Sequence, residues 1–181
     1  IKNYDKGTQE RRHIDKWMVS KLNKIIKETD EAMNQTLFRT ASQKCFFELS
    51  NAVKWYLRRS VKPNKEVMNK VIESQVVMLS VFCPFTCEEI WGQIGKEKMI
   101  SLESWPFTGK YDESLNKSEE LVESVMADIN QVKKLVKKEK LEVIKLFLAD
   151  SWKHVFVEKS RKAFEKTKNP GDAIKELMKD S

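Results

Sequence analysis

Lysine, arginine and aromatic side chains are interleaved in TLFRTASQKCFFELSNAVKWYLRRSVK, residues 36–62. Lys and Arg neutralise phosphates, and a flat ring can stack on an exposed base, so this combination suits a nucleic acid. At about 100° per residue, Gln43, Lys44, Asn51, Lys54 and Arg58 fall on one side of a helix. Trp55 lies at the boundary of that side and Phe47 among its polar groups. The candidate contacts are Arg39, Lys44, Lys54, Trp55, Arg58 and Arg59, with Arg11, Arg12 and Lys16 as a second edge. They rest on charge and helical phase alone. The bland alternative is a solvated amphipathic helix whose cations do nothing specific. Arg59 falls near the apolar side and can instead pair with a carboxylate.

Other chemistry is poorly represented. His13 and His154 are far apart in sequence, and Cys83 and Cys87 flank Pro84 at a spacing unlike CxxC, so no metal site is expected. Cys45, Cys83 and Cys87 read as small buried hydrophobes, and the sparse, odd count fits a reducing cytosol. Glu28, Glu31 and Glu48 alternate with Lys as on solvated helix faces. Neither GxxxxGK[ST] nor GxGxxG occurs, so no phosphate loop is encoded. The methionines fall mostly on apolar stripes and read as packing. No catalytic site is expected in this chain by itself.

The composition bounds the rest. The 181 residues are 40% hydrophobic, enough for a real core, and the net charge of +7 favours polyanionic partners. Of the 34 basic groups six are Arg, and five of those precede residue 60, where a planar fork suits phosphate. No apolar run is long enough to span a membrane. The chain begins Ile-Lys-Asn, which suggests a piece of a longer protein.

Five Gly and four Pro leave few turns, and helical periodicity dominates. The organising helix, 36–60, places Phe38, Ala41, Cys45, Leu49, Ala52 and Tyr56 on one stripe. A first helix should start with Asp15 as N-cap and Ile14 and Val19 as a staple, burying Met18, Leu22, Ile25 and Ala32. Pro63 suits the first turn of a third helix, which buries Val67, Val71, Ile72, Met78, Leu79 and Phe82 and ends at Pro84. Thr86 and Glu89 then read as a capping box, Phe85 and Ile90 as a staple, and Gly95 as the left-handed stop. After an extended connection at 96–111, a long helix at 112–138 carries Leu115, Val122, Val125, Ile129, Val132 and Val136. The run 141–148, LEVIKLFL, reads as a strand. A helix from Asp150 should turn Trp152, Val155, Phe156 and Ala163 inward. A turn at 169–172 and a short helix at 172–180 follow. The expected architecture is a mainly α bundle at 1–138 with a small appended α/β piece at 139–181.

Five segments in order, IDKWMVSKLN (14–23), RTASQKCFFELSNAVKWYLRR (39–59), CPFTCEEIWGQIG (83–95), ISLESWP (100–106) and LEVIKLFLADSWK (141–153), carry a resemblance. Together they resemble the anticodon-binding helical bundle of class Ia aminoacyl-tRNA synthetases, most closely the leucine enzymes of archaeal and eukaryotic cytosolic type. The segment at 83–91 departs from the family's P-x-x-[PA]-E-E-x-W, with Phe-Thr-Cys where His or Ala is common. The HIGH and KMSKS signatures are missing, and KEKMIS at 96–101 matches the second only superficially.

The resemblance implies a cytoplasmic, monomeric fragment that supports leucine tRNA, with no membrane partner and no cofactor of its own. ATP and Mg²⁺ would be used elsewhere in the parent enzyme. The alternatives are the same domain of an Ile, Val or Met enzyme, or a protein-interaction bundle docking through Phe47 and Trp55.

Overall fold

A computed structural model describes residues 7–136, 143–147, 149–169 and 171. The chain divides into two compact units, Ile1–Asn130 and Gln131–Ser181.

The first unit is built on α1 (His13–Asn34). Its stripe of Met18, Leu22, Ile25 and Ile26 is fully buried. Asp15 is not the N-cap. The helix begins two residues earlier, and Asp15 sits inside its first turn, accepting the Arg12 N–H at 2.6 Å. Its other carboxylate oxygen accepts from the Tyr56 hydroxyl, which in turn accepts the Asn64 N–H at 2.8 Å. Burial and the bond to Asp15 push the Tyr56 phenol above its ordinary range. An acidic residue beside the apolar stripe is thus a buried junction between two helices.

The organising stretch has three parts: α2 (Phe38–Ser42), a π-helical segment (Gln43–Glu48) and α3 (Leu49–Arg59). Ala41, Cys45, Leu49, Ala52 and Tyr56 are buried as the period predicts. Phe38 is not: it is 53% exposed, in the opening turn, where residues 34–40 all stand in solvent at one end of the bundle. A π turn holds one residue more than an α turn. Phe46 and Phe47, both within it, are exposed and pack edge to face at 5.0 Å.

α4 (Lys65–Leu79) starts two residues after Pro63, which lies outside it, because Asn64 is the N-cap and its side chain accepts the Val67 N–H at 3.1 Å. It buries Val67, Met68, Val71 and Met78 in one core with residues of α1, the π-helical segment and α3, while Phe82 lies beyond its end, exposed. Pro84 opens α5 (Pro84–Gln93) rather than closing α4. This moves the N-cap back to Cys83, so Thr86 and Glu89 lie inside the helix and form no capping box. Phe85 is 91% exposed and staples nothing. Gly95 does take the left-handed stop, at φ 87°. Cys87 and Trp91 pack with Val76, Val77 and Ile100 as a second apolar cluster. Met99, by contrast with Met18, Met68 and Met78, is exposed.

The connection 96–111 holds a 3₁₀ turn, Ile100–Leu102, and is then pinned to α1. Asn23 Nδ2 donates to the Lys110 carbonyl at 3.0 Å, and the Asp112 N–H donates to Ser20 Oγ at 2.7 Å. A Cβ at Gly109 would stand 2.8 Å from Asn23 Nδ2, so a larger residue there would have to displace the Asn23 amide. α6 (Glu113–Val136) follows; Leu115, Val122, Val125 and Ile129 are half-buried, whereas Val132 and Val136 are exposed.

In the second unit, residues 143–147 form no strand, which corrects the expected α/β piece; positions 141, 142 and 148 lie outside the described residues. Alternation alone does not make a strand without an edge to pair with, and the described residues hold none. α7 (Ser151–Thr167) begins after Asp150 as expected. Ala163 is buried, but Trp152, Val155 and Phe156 are exposed. The expected turn at 169–172 and helix at 172–180 fall largely outside the described residues, as does Met178. Among the described residues no helix is long and apolar enough to cross a membrane.

Candidate nucleic-acid interface

α3 presents Asn51, Lys54, Trp55 and Arg58 on one face, at helical steps of three and four. The ridge is anchored by an acid on α6. Glu119 is 4% exposed and accepts from Trp55 Nε1 at 3.1 Å and from Arg59 Nε at 3.1 Å. The Trp55 ring is therefore half-buried and fixed in orientation. The Arg58 guanidinium lies over it, 5.9 Å from the ring centroid. Lys54 and Arg58 are exposed and have no carboxylate partner among the described residues.

Two of the contacts expected on the organising stretch are engaged elsewhere. Arg59 is held by Glu119, whose hydrogen bonds raise its pKa further. Lys44 bridges Glu28 at 2.7 Å and Glu48 at 2.9 Å, and these bonds raise its pKa too. Glu48 also takes Lys21 at 2.8 Å. Burial pushes the Glu48 carboxyl up, but the two lysines outweigh burial and hold it below the ordinary range. Arg39 stands exposed at the far end of the same helical stretch, beside exposed Leu37 and Phe38.

The second edge is a separate feature. Arg11 pairs with Glu66 at 3.0 Å on the surface, and Arg12 approaches Glu10 at 4.0 Å. Lys16 is exposed with no carboxylate partner among the described residues. Arg11, Lys16 and Lys110 line a cleft of about 220 Å³ with Asp15 and Asp112. Lys110 escaped the sequence reading because it lies in a connection, where helical phase says nothing.

Glu119 escaped it too. One signal was available: Glu119 is four residues after Leu115 and three before Val122, on the apolar stripe of α6. With Glu48, Glu120 and Glu123 it lines a cleft of about 200 Å³ next to Trp55. That acidic wall, which holds Lys21 as its one cation, disfavours phosphate in the cleft, whereas Lys54 and Arg58 stand exposed outside its lining where a polyanion can reach them. The arrangement suits backbone binding with a stacking surface. No group of three or more potential metal ligands is assembled among the described residues.

Residues 15–146 match the sequence family described as the anticodon-binding domain of tRNA ligase. The chain is 34% identical over 182 residues to a leucine–tRNA ligase of Pyrococcus horikoshii, covering 97% of this chain and 18% of that protein. It is 31% identical over 181 residues to the leucine–tRNA ligase of Aeropyrum pernix, covering 98% and 19%. It is 36% identical over 142 residues to that of Methanosarcina acetivorans, covering 77% and 14%. The chain thus spans less than a fifth of the length of these relatives.

Proposed function

The chain belongs to the family of anticodon-binding domains of tRNA ligases, and from that premise we propose that it is the tRNA-supporting bundle of a leucine–tRNA ligase. It holds leucine tRNA mainly by its phosphates. Other parts of such an enzyme, using ATP and Mg²⁺, join leucine to the 3′ end of the RNA. The leucine assignment over Ile, Val or Met is supported by the names of the relatives above. The piece acts as a monomer, in the cytoplasm.

The observation that carries this reading is the exposed Lys54 and Arg58 pair beside a ring fixed by Glu119. The contact set is Lys54, Arg58 and Trp55, extended by Arg39 at one end and by Arg11, Arg12 and Lys16 at the second edge. Lys44 and Arg59 act from within their ion pairs, shaping the face more than touching RNA.

Binding of a leucine tRNA transcript to the chain, measured by fluorescence anisotropy over a salt series, tests this. Each phosphate neutralised adds about 0.9 to the slope of log K against log salt. Lys54→Glu with Arg58→Glu should weaken binding and flatten that slope by about 2. A slope unchanged by the double variant rules out this face. Exposed Phe46 and Phe47 favour a second reading, docking of a protein partner, and such binding would show little response to salt.

A further inference from the structure

Two of the three cysteines meet at the start of α5. Cys83 Sγ lies 3.6 Å from Cys87 Sγ. Cys83 is the N-cap residue and is exposed, whereas Cys87, one turn inside the helix, is buried in the second apolar cluster. The expectation that all three cysteines are inert buried hydrophobes therefore fails for Cys83. Cys83 has left the helical backbone at φ −137° and ψ 69°, so its position can adjust without breaking α5. The Cα atoms of residues four apart at a helix start are roughly 6 Å apart. Disulfides bridge Cα separations of roughly 4.4–6.8 Å.

We propose that Cys83 and Cys87 are a reversible thiol oxidation site, with Cys83 the sulfur attacked by oxidant and Cys87 the resolving thiol. The oxidant is a hydroperoxide. The Cys83 sulfur attacks the peroxide, the O–O bond breaks, and Cys83 becomes a sulfenic acid while the peroxide leaves as water or an alcohol. The Cys87 sulfur then attacks the Cys83 sulfur. The hydroxyl leaves with the Cys87 proton as water, and the S–S bond forms. Two thiols lose two electrons and two protons, and one peroxide is reduced.

The division of labour follows from placement. Cys83 faces solvent, where a peroxide can reach its sulfur. Cys87 is shielded; burial and the hydrogen bond with Cys83 push its thiol up to about 12, so it keeps its proton until the neighbouring sulfur is oxidised. Resolution by Cys87 stops Cys83 short of the irreversible sulfinic state. Both sulfurs belong to one helix turn, so the bond leaves the bundle otherwise unconstrained. Cys45, buried on the organising stretch with its thiol pushed up to about 11, takes no part.

Treatment of the chain with hydrogen peroxide, followed by intact mass and peptide mapping, tests the assignment. The wild type should lose two hydrogens through a Cys83–Cys87 bond that dithiothreitol reverses, with unchanged helix content by circular dichroism. Cys45→Ser should behave identically. Cys87→Ser should instead accumulate a sulfenic acid at Cys83, trapped by dimedone, and then a sulfinic acid. The proposal is overturned if the wild type gives sulfinic Cys83 at the same rate as Cys87→Ser, or if its oxidation product is an intermolecular dimer. It is equally overturned if Cys45→Ser abolishes the bond.

Discussion

Arg59 meets Glu119 with two guanidinium nitrogens, Nε at 3.1 Å and Nη2 at 3.3 Å, and the same carboxylate takes Trp55 Nε1. One acid on α6 therefore fixes two residues of α3. The partners differ in exposure: the Glu119 side chain is 4% exposed and that of Arg59 34%. A buried carboxylate needs such donors to offset its lost hydration, whereas the arginine can return to solvent if the acid is removed.

That asymmetry sets the expected cost. Glu119→Ala should destabilise the chain by about 1–3 kcal/mol, as loss of a charged hydrogen-bond partner from a buried site does. Glu119→Gln should cost less, since its amide oxygen still accepts from Trp55. Urea melts of both variants measure this. Values within about 0.5 kcal/mol of wild type would make the contact an ordinary surface ion pair.

Truncation along α3 should report the helical phase. Leu49 is fully buried, so Leu49→Ala should cost roughly 2–5 kcal/mol. Lys54 is exposed, so Lys54→Ala should cost less than about 0.5 kcal/mol. A reversed order in denaturant melts would mean that the stripe of Ala41, Cys45, Leu49, Ala52 and Tyr56 does not form the core.

That stripe was readable because apolar periodicity survives the π turn: Ala41, Cys45, Leu49, Ala52 and Tyr56 recur at steps of four, four, three and four, and all are buried. What the period could not reveal were acids with a structural task. Asp15 and Glu119 look like surface charges until a hydroxyl or a guanidinium from another helix arrives, and such partners are distant in sequence. Helix starts were displaced where the backbone was capped by a residue other than the one with the stronger signature, as at Asn64 beside Pro63. LEVIKLFL carried strand-like alternation but no partner for its edge. The basic residues were visible individually, yet only packing distinguishes Lys54, which is free to reach a phosphate, from Lys44, which is already paired.

The Lys21, Glu48, Lys44 and Glu28 cluster should give stability a definite pH dependence. The Glu48 carboxyl is held below its ordinary 4.5, so its contribution is present above that value and is lost as pH falls through the folded pKa. Hydrogen bonds to Glu28 and Glu48 hold Lys44 above its ordinary 10.5, so its contribution is present below that value and is lost as pH climbs through the raised pKa. The stability difference between wild type and Glu48→Gln should therefore be greatest near neutrality and shrink at both extremes. A difference that stays constant from neutral pH into acid would remove Glu48 as the titrating group.

The last prediction concerns what the face reads. Leucine has six codons, so leucine tRNAs share no single anticodon, and under the proposed leucine assignment a reader of three fixed bases would reject some of the tRNAs it must hold. The side chains agree with that constraint. The exposed face of α3 offers Lys54 and Arg58 to phosphates, and Asn51 is its only amide suited to a base edge. Phosphate contacts position an RNA without specifying its sequence. Trp55 can stack on any base, since every base has a π face. The chain should therefore contribute salt-dependent affinity with little anticodon discrimination, and Lys54→Glu with Arg58→Glu should weaken all leucine tRNAs about equally. Binding of leucine tRNA carrying its own or a foreign anticodon, compared across a salt series, measures this. A loss beyond about tenfold on exchanging the anticodon, or roughly 1.4 kcal/mol, would mean that bases are read here and that phosphate contact is not the main interaction.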